Sequence, residues 1–236
     1  MILNPHDRQL ETLRSYGTLV EMREDWGGAL VLCCGEGCAL TGVPSAVSIA
    51  GGATLAIDAD AAAMKSGMRR GEFDFVVNTL DEAMRTLKNE VRQKRALSVG
   101  LISEVRPALQ EMIERGIQPD LLLIGSSQDA EPLMQDPCVH TLEVAGMPTR
   151  FTAWRDKNHP KRHSVVFAGK RRHEYYLPVQ SAAELRLLDE KLLALLPVGD
   201  IIRRRWIQRV SQYLPEARRN GRWLWLSKSE RQRIGD

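Results

Sequence analysis

The sequence predicts an α/β fold, in which a parallel sheet with helices on both faces is followed by a smaller α+β region. Short apolar runs such as ALVLCC at 29–34 have the length of a strand and no polar face, as expected for strands buried on both sides. Amphipathic segments of helical length separate these runs, which is typical of βαβ units. After about residue 137 the hydrophobic period changes to the alternation that is typical of hairpins.

The first half of the chain is predicted to contain five strands with four helices between them. Asp60 is placed to cap the second helix, and Thr79 with Glu82 forms a capping box for the third. Ser103 is expected to cap the fourth helix, which Gly116 ends. The predicted strands lie at 29–34, 53–60, 73–77, 96–102 and 120–125, and the predicted helices at 43–50, 61–70, 80–94 and 104–115.

The second half is predicted to form hairpins and then two helices. Ser181 and Glu184 form a second capping box at the start of a leucine-rich helix, 182–196, and a further amphipathic helix covers 200–214. RWLWL at 222–226 is either a short strand or an anchoring segment. The predicted domains are an N-terminal helical or irregular extension at 1–27, the parallel-sheet domain at 28–137 and a basic α+β region at 138–236.

The charge is distributed unevenly along the 236 residues, although the total is only +3. Residues 1–149 carry 13 Lys and Arg against 21 Asp and Glu, a net charge of −8. Residues 150–236 carry 20 against 9, a net charge of +11. A basic region of this kind attracts anionic partners, and the opposite signs of the two parts make a homo-oligomer reasonable.

Two features of the sequence predict a cytoplasmic protein without a membrane partner. No apolar run approaches the roughly 20 residues that a membrane helix needs, and the N-terminus lacks the pattern of a signal peptide. The four cysteines, of which Cys33 and Cys34 are adjacent in a strand, include no CxxC pair. No metal site is predicted, because His159-Pro160 rules out a regular helix presenting His159 and His163 together.

The arginine-rich segment near the C-terminus allows two interpretations. In one, arginines neutralise phosphates while Trp206, Trp223 and Trp225 stack on bases. In the favoured one, an apolar helix face packs on the core and the arginines lie on the solvated face, so a nucleic-acid partner is disfavoured. That face comprises Ile201, Ile202, Trp206, Val210 and Leu214.

A glycine-containing loop follows the first strand in LCCGEGCALTGVPSAVSIAGGATLAIDAD, residues 32–60. Rossmann-like dinucleotide sites use such a loop to bring the backbone close to a pyrophosphate, with an acid at the end of the second strand binding the ribose. Gly35 and Gly37 supply two glycines, the next is Gly42, and Asp58 lies 21 residues after Gly37. The alternative is a plain glycine turn of a βαβ fold.

Several stretches together resemble the central NAD-binding, Rossmann-like domain of urocanase (urocanate hydratase). They are GVPSAVSIAGGATLAIDAD, GEFDFVVNTLDEAMRTLKNEVRQKRALSVGLI and LQEMIERGIQPDLLL. The order is similar to that of the family: a glycine loop ending in Pro, Gly-Gly before the second strand, a Leu-Asp-Glu-Ala helix, a Ser-Val-Gly-Leu strand and an Arg-Gly-x-x-Pro-Asp turn. The resemblance covers residues 28–137.

The resemblance implies a nucleotide site at the carboxyl ends of the strands. In this family NAD acts as an electrophile that bonds to the substrate imidazole, in a hydro-lyase reaction of histidine catabolism. Gly35, Gly37 and Gly42 would approach the cofactor, and Asp58 would bind its ribose. Ser103 stands where the family has Gly-Asn after its fourth strand, and Ser126 and Ser127 follow the fifth, so these serines would complete the cofactor site.

The chain also departs from the family pattern. Cys38, Ala39 and Leu40 stand in the loop where the family has further glycines and a Gln. After the fifth strand the family has Gln-Thr-Ser-Ala-His-Asp-Pro, and residues 125–132 of this chain lack that histidine. We therefore expect a urocanase-related protein that binds NAD or a similar nucleotide and whose activity is diverged or lost. The alternative is a non-enzymatic interaction protein that uses its basic C-terminal region to bind an anionic partner or another subunit.

Overall fold

The structure is a computed structural model that describes residues 5–35, 42–124, 164–167, 170–218 and 220–235. The contacts within the chain divide it into two units. Residues 25–159 form the parallel-sheet unit, while residues 1–24, with helix α1 (Pro5–Met22), join residues 160–236 in the antiparallel-sheet unit. The three domain ranges drawn from the sequence stay a prediction.

Five strands form the sheet of the parallel-sheet unit: β1 (Leu30–Cys34), β2 (Ala53–Asp58), β3 (Phe75–Val77), β4 (Leu97–Ile102) and β5 (Leu121–Ile124). Their spatial order is β3-β4-β2-β1-β5, and every neighbouring pair is parallel. The predicted α/β, Rossmann-like architecture is therefore confirmed, with each strand inside or at the edge of its predicted range.

Four helices connect these strands: α2 (Val43–Ala50), α3 (Ala61–Arg69), α4 (Leu80–Arg92) and α5 (Val105–Glu114). Asp60 caps α3 by accepting hydrogen bonds from two amides of its first turn, and Thr79 caps α4 through the amide of Glu82 (3.3 Å). The predicted cap of α5 is wrong. Its N-cap residue is Glu104, whose side chain makes no capping bond. The Ser103 hydroxyl donates to the carbonyl oxygen of Glu104 (3.2 Å) instead of accepting from an amide of the first turn.

Both faces of the parallel sheet are covered, which explains the continuous apolar runs in its strands. On one face Leu32 and Leu55 are fully buried in a hydrophobic cluster with Leu87 of α4 and residues of α5. On the other face a Cβ built on Gly100 would lie 2.7 Å from the Cε of Met64 in α3. Glycine therefore lets α3 pack this closely against β4 without a shift of the Met64 side chain.

A three-stranded antiparallel sheet forms the centre of the antiparallel-sheet unit, with β7 between β6 and β8. The hairpin of β6 with β7 agrees with the predicted change of period, and RWLWL proves to be part of a strand. No helix in the described part of the chain is long and apolar enough to span a membrane. The elements are β6 (Ser164–Phe167), β7 (Lys170–Pro178), α6 (Ala182–Leu195), α7 (Ile201–Tyr213), a 3₁₀ turn (Pro215–Arg218), β8 (Gly221–Leu226) and α8 (Lys228–Gly235).

Helix α1 packs against the antiparallel sheet although it lies at the other end of the chain. A Cβ on Gly17 would lie 2.7 Å from the ring of Trp225, so the contact requires glycine at this position. Tyr16 is fully buried beside Trp206, and its hydroxyl donates to the carbonyl oxygen of Ile202 (2.8 Å). The N-terminal segment thus contributes core residues to the unit that contains the C-terminal residues.

Side chains from α1 and α7 cover the edge of β8. Trp206 Nε1 donates to the carbonyl oxygen of Trp223 (2.9 Å), and Arg203 donates to that of Trp225 (3.0 Å). Gln9 accepts from the amide of Trp223 and donates to the carbonyl oxygen of Gly221 (3.4 Å). The outward backbone groups of β8 are in this way bonded to side chains, and this edge is not open to another strand.

The predicted inward face of α7 is partly wrong. Trp206, Val210 and Leu214 are buried as expected, but Ile201 is 50% exposed and Arg203, expected on the solvated face, is fully buried. Arg203 is buried because it bonds to two carboxylates and to a carbonyl oxygen of β8 inside the unit. Ile201 is exposed because it is the first residue of α7. Because Trp206 and Trp225 are core residues, neither is available to stack on a base.

Candidate functional site

The order of the strands places a topological switch point at the carboxyl ends of β1 and β5. From β1 the chain moves to β2 on one side, and after β4 it returns to β5 on the other side of β1. Open α/β sheets bind ligands at such a reversal, because the loops that follow the two strands diverge. The loop after β1 is the glycine loop singled out in the sequence, so the switch point lies where the sequence predicts a nucleotide.

Two glycines with positive φ angles flank this loop. Gly35 directly follows β1 with φ 89°, and its amide donates to the carbonyl oxygen of Ile57 at the end of β2 (3.1 Å). Gly42, with φ 66°, is the N-cap residue of α2. L-residues with side chains rarely adopt these angles, so both positions require glycine. Gly37 lies between them, outside the described residues.

The start of α2 has the features of an anion-binding helix end. Its N-cap Gly42 has no side chain, and no side-chain cap bond is present. Pro44 occupies the first turn, where a missing amide is tolerated. Backbone amides at a helix N-terminus carry partial positive charge and favour a phosphate or carboxylate. The geometry on both sides of the loop is therefore compatible with a pyrophosphate.

Asp58 ends β2 and holds a defined orientation. Its carboxylate is 5% exposed, and Oδ1 accepts a hydrogen bond from the amide of Asp60 (2.9 Å). Its backbone carbonyl accepts from the amide of Ser103 (3.2 Å), which ties the ends of β2 and β4 together. A fixed carboxylate at the end of the second strand is the arrangement that bonds ribose hydroxyls in dinucleotide-binding folds.

The other predicted site residues fall into two groups. Ser103 lies at the same edge of the sheet as Asp58, with its hydroxyl directed to the carbonyl oxygen of Glu104. Ser126 and Ser127, which follow β5, lie outside the described residues. The structure thus brings Gly35, Gly42, Asp58 and Ser103 to one edge, and the proposed roles of Gly37, Ser126 and Ser127 stay predictions.

Sequence reasoning missed Glu72, a carboxylate buried next to the first turn of α2. Glu72 is 1% exposed, and its Oε2 accepts from the hydroxyl of Ser45 (3.0 Å). Its backbone carbonyl accepts from the hydroxyl of Ser98 in β4 (2.8 Å). These bonds fix the start of α2 relative to the sheet. No periodic signal links Ser45 to Glu72, because the two residues are 27 positions apart.

Among the residues that the structure describes, no cysteine or histidine adds a further site to this edge. Cys33 and Cys34 are buried free thiols within β1. Within the described ranges no group of three or more His, Cys, Asp and Glu side chains is arranged to hold a metal ion. The two histidines considered for a metal site, His159 and His163, lie outside those ranges.

A comparison with protein families agrees with this geometry. The model of the urocanase Rossmann-like domain matches residues 9–129, a little more than half of the chain. The match begins within α1 and ends five residues after β5, so it includes every strand of the parallel sheet and the glycine loop. The chain therefore belongs to the urocanase family, through its Rossmann-like domain.

Proposed function

We propose that the protein binds NAD or a similar nucleotide at the carboxyl edge of the parallel sheet. The observation that carries the proposal is the placement of Asp58, a buried and oriented carboxylate, beside a loop whose two flanking glycines have positive φ angles. The ribose would bond to Asp58, and the pyrophosphate would approach Gly35, Gly37 and the amides at the start of α2. Ser103, Ser126 and Ser127 would complete the site.

We further propose that the reaction has diverged from that of urocanate hydratase or has been lost. When bound in this family, NAD supplies an electrophilic nicotinamide ring. A urocanase-like hydro-lyase activity would need an acid–base group near that ring, and residues 125–132, which directly follow β5, contain no histidine. The loop residues Cys38, Ala39 and Leu40 also differ from the glycines of the family. The conserved part of the function would then be binding of the nucleotide.

Mass spectrometry of the nucleotide released on denaturation tests the proposal first. We expect NAD or a related nucleotide at about one equivalent per chain, because a carboxylate and several amides acting together give slow release. Asp58→Asn keeps the size of the side chain and one oxygen acceptor for the Asp60 amide. It should weaken nucleotide binding by about 1–3 kcal/mol, because a charged acceptor for the ribose hydroxyls is lost.

Asp81→Asn is the matched control, because Asp81 is an 81% exposed aspartate in the first turn of α4, which follows β3 at the opposite side of the sheet from β1 and β5. It should leave nucleotide affinity unchanged. No released nucleotide, together with no thermal stabilisation on adding NAD, would refute the binding site. Equal affinity of the Asp58 and Asp81 variants would refute the ribose assignment alone.

An interaction role for the basic region is a second candidate, favoured by the net charge of +11 over residues 150–236. Arg203 and Arg222 are buried and paired, whereas Arg186, Arg218 and Arg233 are exposed. An anionic macromolecule or another subunit would contact the exposed group. Sedimentation velocity and titration with a single-stranded oligonucleotide, each at low and high salt, test this role. A salt-independent monomer that binds no oligonucleotide would refute it.

A further inference from the structure

A surface groove of about 600 Å³ lies in the antiparallel-sheet unit, between α6, α7 and the segment that leads into β8. Leu185, Leu193 and Ile207 give it an apolar wall. The volume is in the range of about 300–1,000 Å³ that is usual for sites of small organic ligands. The groove belongs to neither the glycine loop nor the carboxyl edge of the parallel sheet, so a ligand there would be distinct from the proposed nucleotide.

The buried side of the groove is a rigid polar surface. Arg222 is fully buried and donates to both carboxylate oxygens of Asp189 (2.8 and 2.5 Å) and to the hydroxyl of Ser211 (2.7 Å). Burial raises the pKa of Asp189, and the neighbouring Arg222 acts against this rise. The charges of Arg222 and Asp189 offset each other, and their hydrogen bonds fix their positions. This side of the groove therefore carries no net charge.

The exposed side of the groove carries the net charge. Arg186 and Arg218 are both exposed and both line it. Arg218 uses its Nε to donate to the carbonyl oxygen of Ser211 (2.9 Å), which holds the base of its guanidinium beside the opening. Arg186 makes no hydrogen bond or ion pair with any described residue. With Arg222 and Asp189 offsetting each other, two guanidinium groups are left to attract an anion.

We propose that this groove binds a small amphipathic anion, a molecule with one carboxylate or similar group on an apolar body. Guanidinium groups bind carboxylates through two parallel hydrogen bonds, so Arg186 and Arg218 suit the charged end. The apolar body would lie against Leu185, Leu193 and Ile207, where it removes apolar surface from water. A neutral apolar ligand would leave the two arginines unused, and a compact inorganic anion would leave the wall uncovered.

Isothermal titration calorimetry of the full chain with octanoate tests the proposal, with octanol as the neutral probe. We expect octanoate to bind and octanol to bind more weakly. Among butanoate, hexanoate and octanoate, affinity should rise by about threefold to tenfold for each two methylene groups, because each buries more apolar surface. Equal affinity for octanoate and octanol, or no dependence on chain length, would overturn the proposal.

Arginine variants locate the site. Arg186→Gln and Arg218→Gln should each weaken octanoate binding by about twofold to fivefold, the effect of one exposed ion pair. Arg233→Gln is the control, because Arg233 is an exposed arginine of α8 that does not line the groove, and it should leave affinity unchanged. If octanoate fails to bind and the two groove variants instead change the sedimentation of the protein, the groove is an interface between protein chains and the proposal is wrong.

Discussion

The parallel-sheet unit and the antiparallel-sheet unit bury different kinds of side chain. The core between the parallel sheet, α4 and α5 is a single apolar cluster, with fully buried residues such as Leu55 and Val99. In the antiparallel-sheet unit the fully buried side chains include two arginines as well as two tryptophans. Arg203 bonds to both Asp200 and Glu230, and Arg222 bonds to Asp189.

The difference follows from how each sheet protects its backbone. In the parallel sheet the inner strands bond to strands on both sides, so the helices that cover it need only apolar side chains. The smaller sheet has its β8 edge covered by side chains, and Arg203 supplies one of the donors. A buried arginine in turn requires carboxylates, which is why Asp200 and Glu230 lie beside it. The buried charges of Arg203, Asp200 and Glu230 are thus a consequence of covering an edge.

The largest effect is expected from Arg203→Ala. The substitution leaves Asp200 and Glu230 without their partner and removes a bond to the β8 edge, so it should lower the free energy of unfolding by about 3–5 kcal/mol. Chemical denaturation followed by tryptophan fluorescence measures the change. Arg233→Ala, at an exposed position of α8, should change stability by less than about 0.5 kcal/mol.

Leu55→Ala is the matching substitution in the parallel-sheet unit. It should lower the free energy of unfolding by about 2–5 kcal/mol, because it leaves a cavity in the apolar core. Hydrogen exchange should then accelerate in β1, β2 and β4 for Leu55→Ala, but in β7 and β8 for Arg203→Ala. A loss below about 1 kcal/mol for Arg203→Ala would mean that its ion pairs do not support the antiparallel-sheet unit, and the contrast between the two cores would fail.

A pH dependence confined to the antiparallel-sheet unit is expected from Glu230. Burial acts to raise its pKa, but hydrogen bonds from Arg203 and Ser227 outweigh burial and lower the pKa from 4.5 to about 2. Because the folded value is depressed, the stabilisation is present above the ordinary pKa and is lost as the pH falls from about 5 towards 2. Unfolding free energies measured across this range should decline, and Glu230→Gln should flatten the decline.

The pKa of Asp189 is shifted in the opposite direction to that of Glu230. The total loss of stability at acid pH is therefore smaller than the loss that Glu230 alone would cause. The raised pKa of Asp189 means that its contribution favours the folded state as the pH falls. Comparing Glu230→Gln with the wild type isolates one group. Glu190→Gln, an exposed glutamate of α6, is the control and should keep the wild-type pH profile. An unchanged profile for Glu230→Gln would contradict the assigned pairing.

The smallest effect is expected from Tyr16→Phe, which keeps the ring contacts and removes the bond to the Ile202 carbonyl. At neutral pH the substitution should lower the free energy of unfolding by about 1 kcal/mol, the contribution of one hydrogen bond. Burial raises the pKa of Tyr16, with the nearby arginines acting against it, so stability is present below the ordinary value and is lost as the pH rises past about 10. Between pH 7 and alkaline pH, the free energy of unfolding should fall less for Tyr16→Phe than for the wild type, as measured by chemical denaturation.

The candidate site was largely predictable because its parts are local signals. Gly35 and Gly42 were identifiable from the loop pattern, and Asp58 from its spacing after the loop and its place at the end of a strand. Glu72 was not identifiable, because the contact that gives it a role joins α2 to the turn between α3 and β3, and only folding of the whole sheet brings these two segments together. Ser103 was assigned a capping role from its position, but its hydroxyl bonds to the backbone of the next residue.

The amino-acid sequence by itself determined the succession of strands and helices, most of their caps, the parallel sheet and the family to which the chain is similar. These properties depend on residues within one turn or one strand of each other, so local patterns are sufficient. Only the tertiary structure decided that α1 packs under Trp225 and that Arg203 is buried. An arginine on an amphipathic helix is usually exposed. Arg203 is buried because folding brings a strand edge and the carboxylates of Asp200 and Glu230 next to it, and no local sequence pattern predicts these contacts.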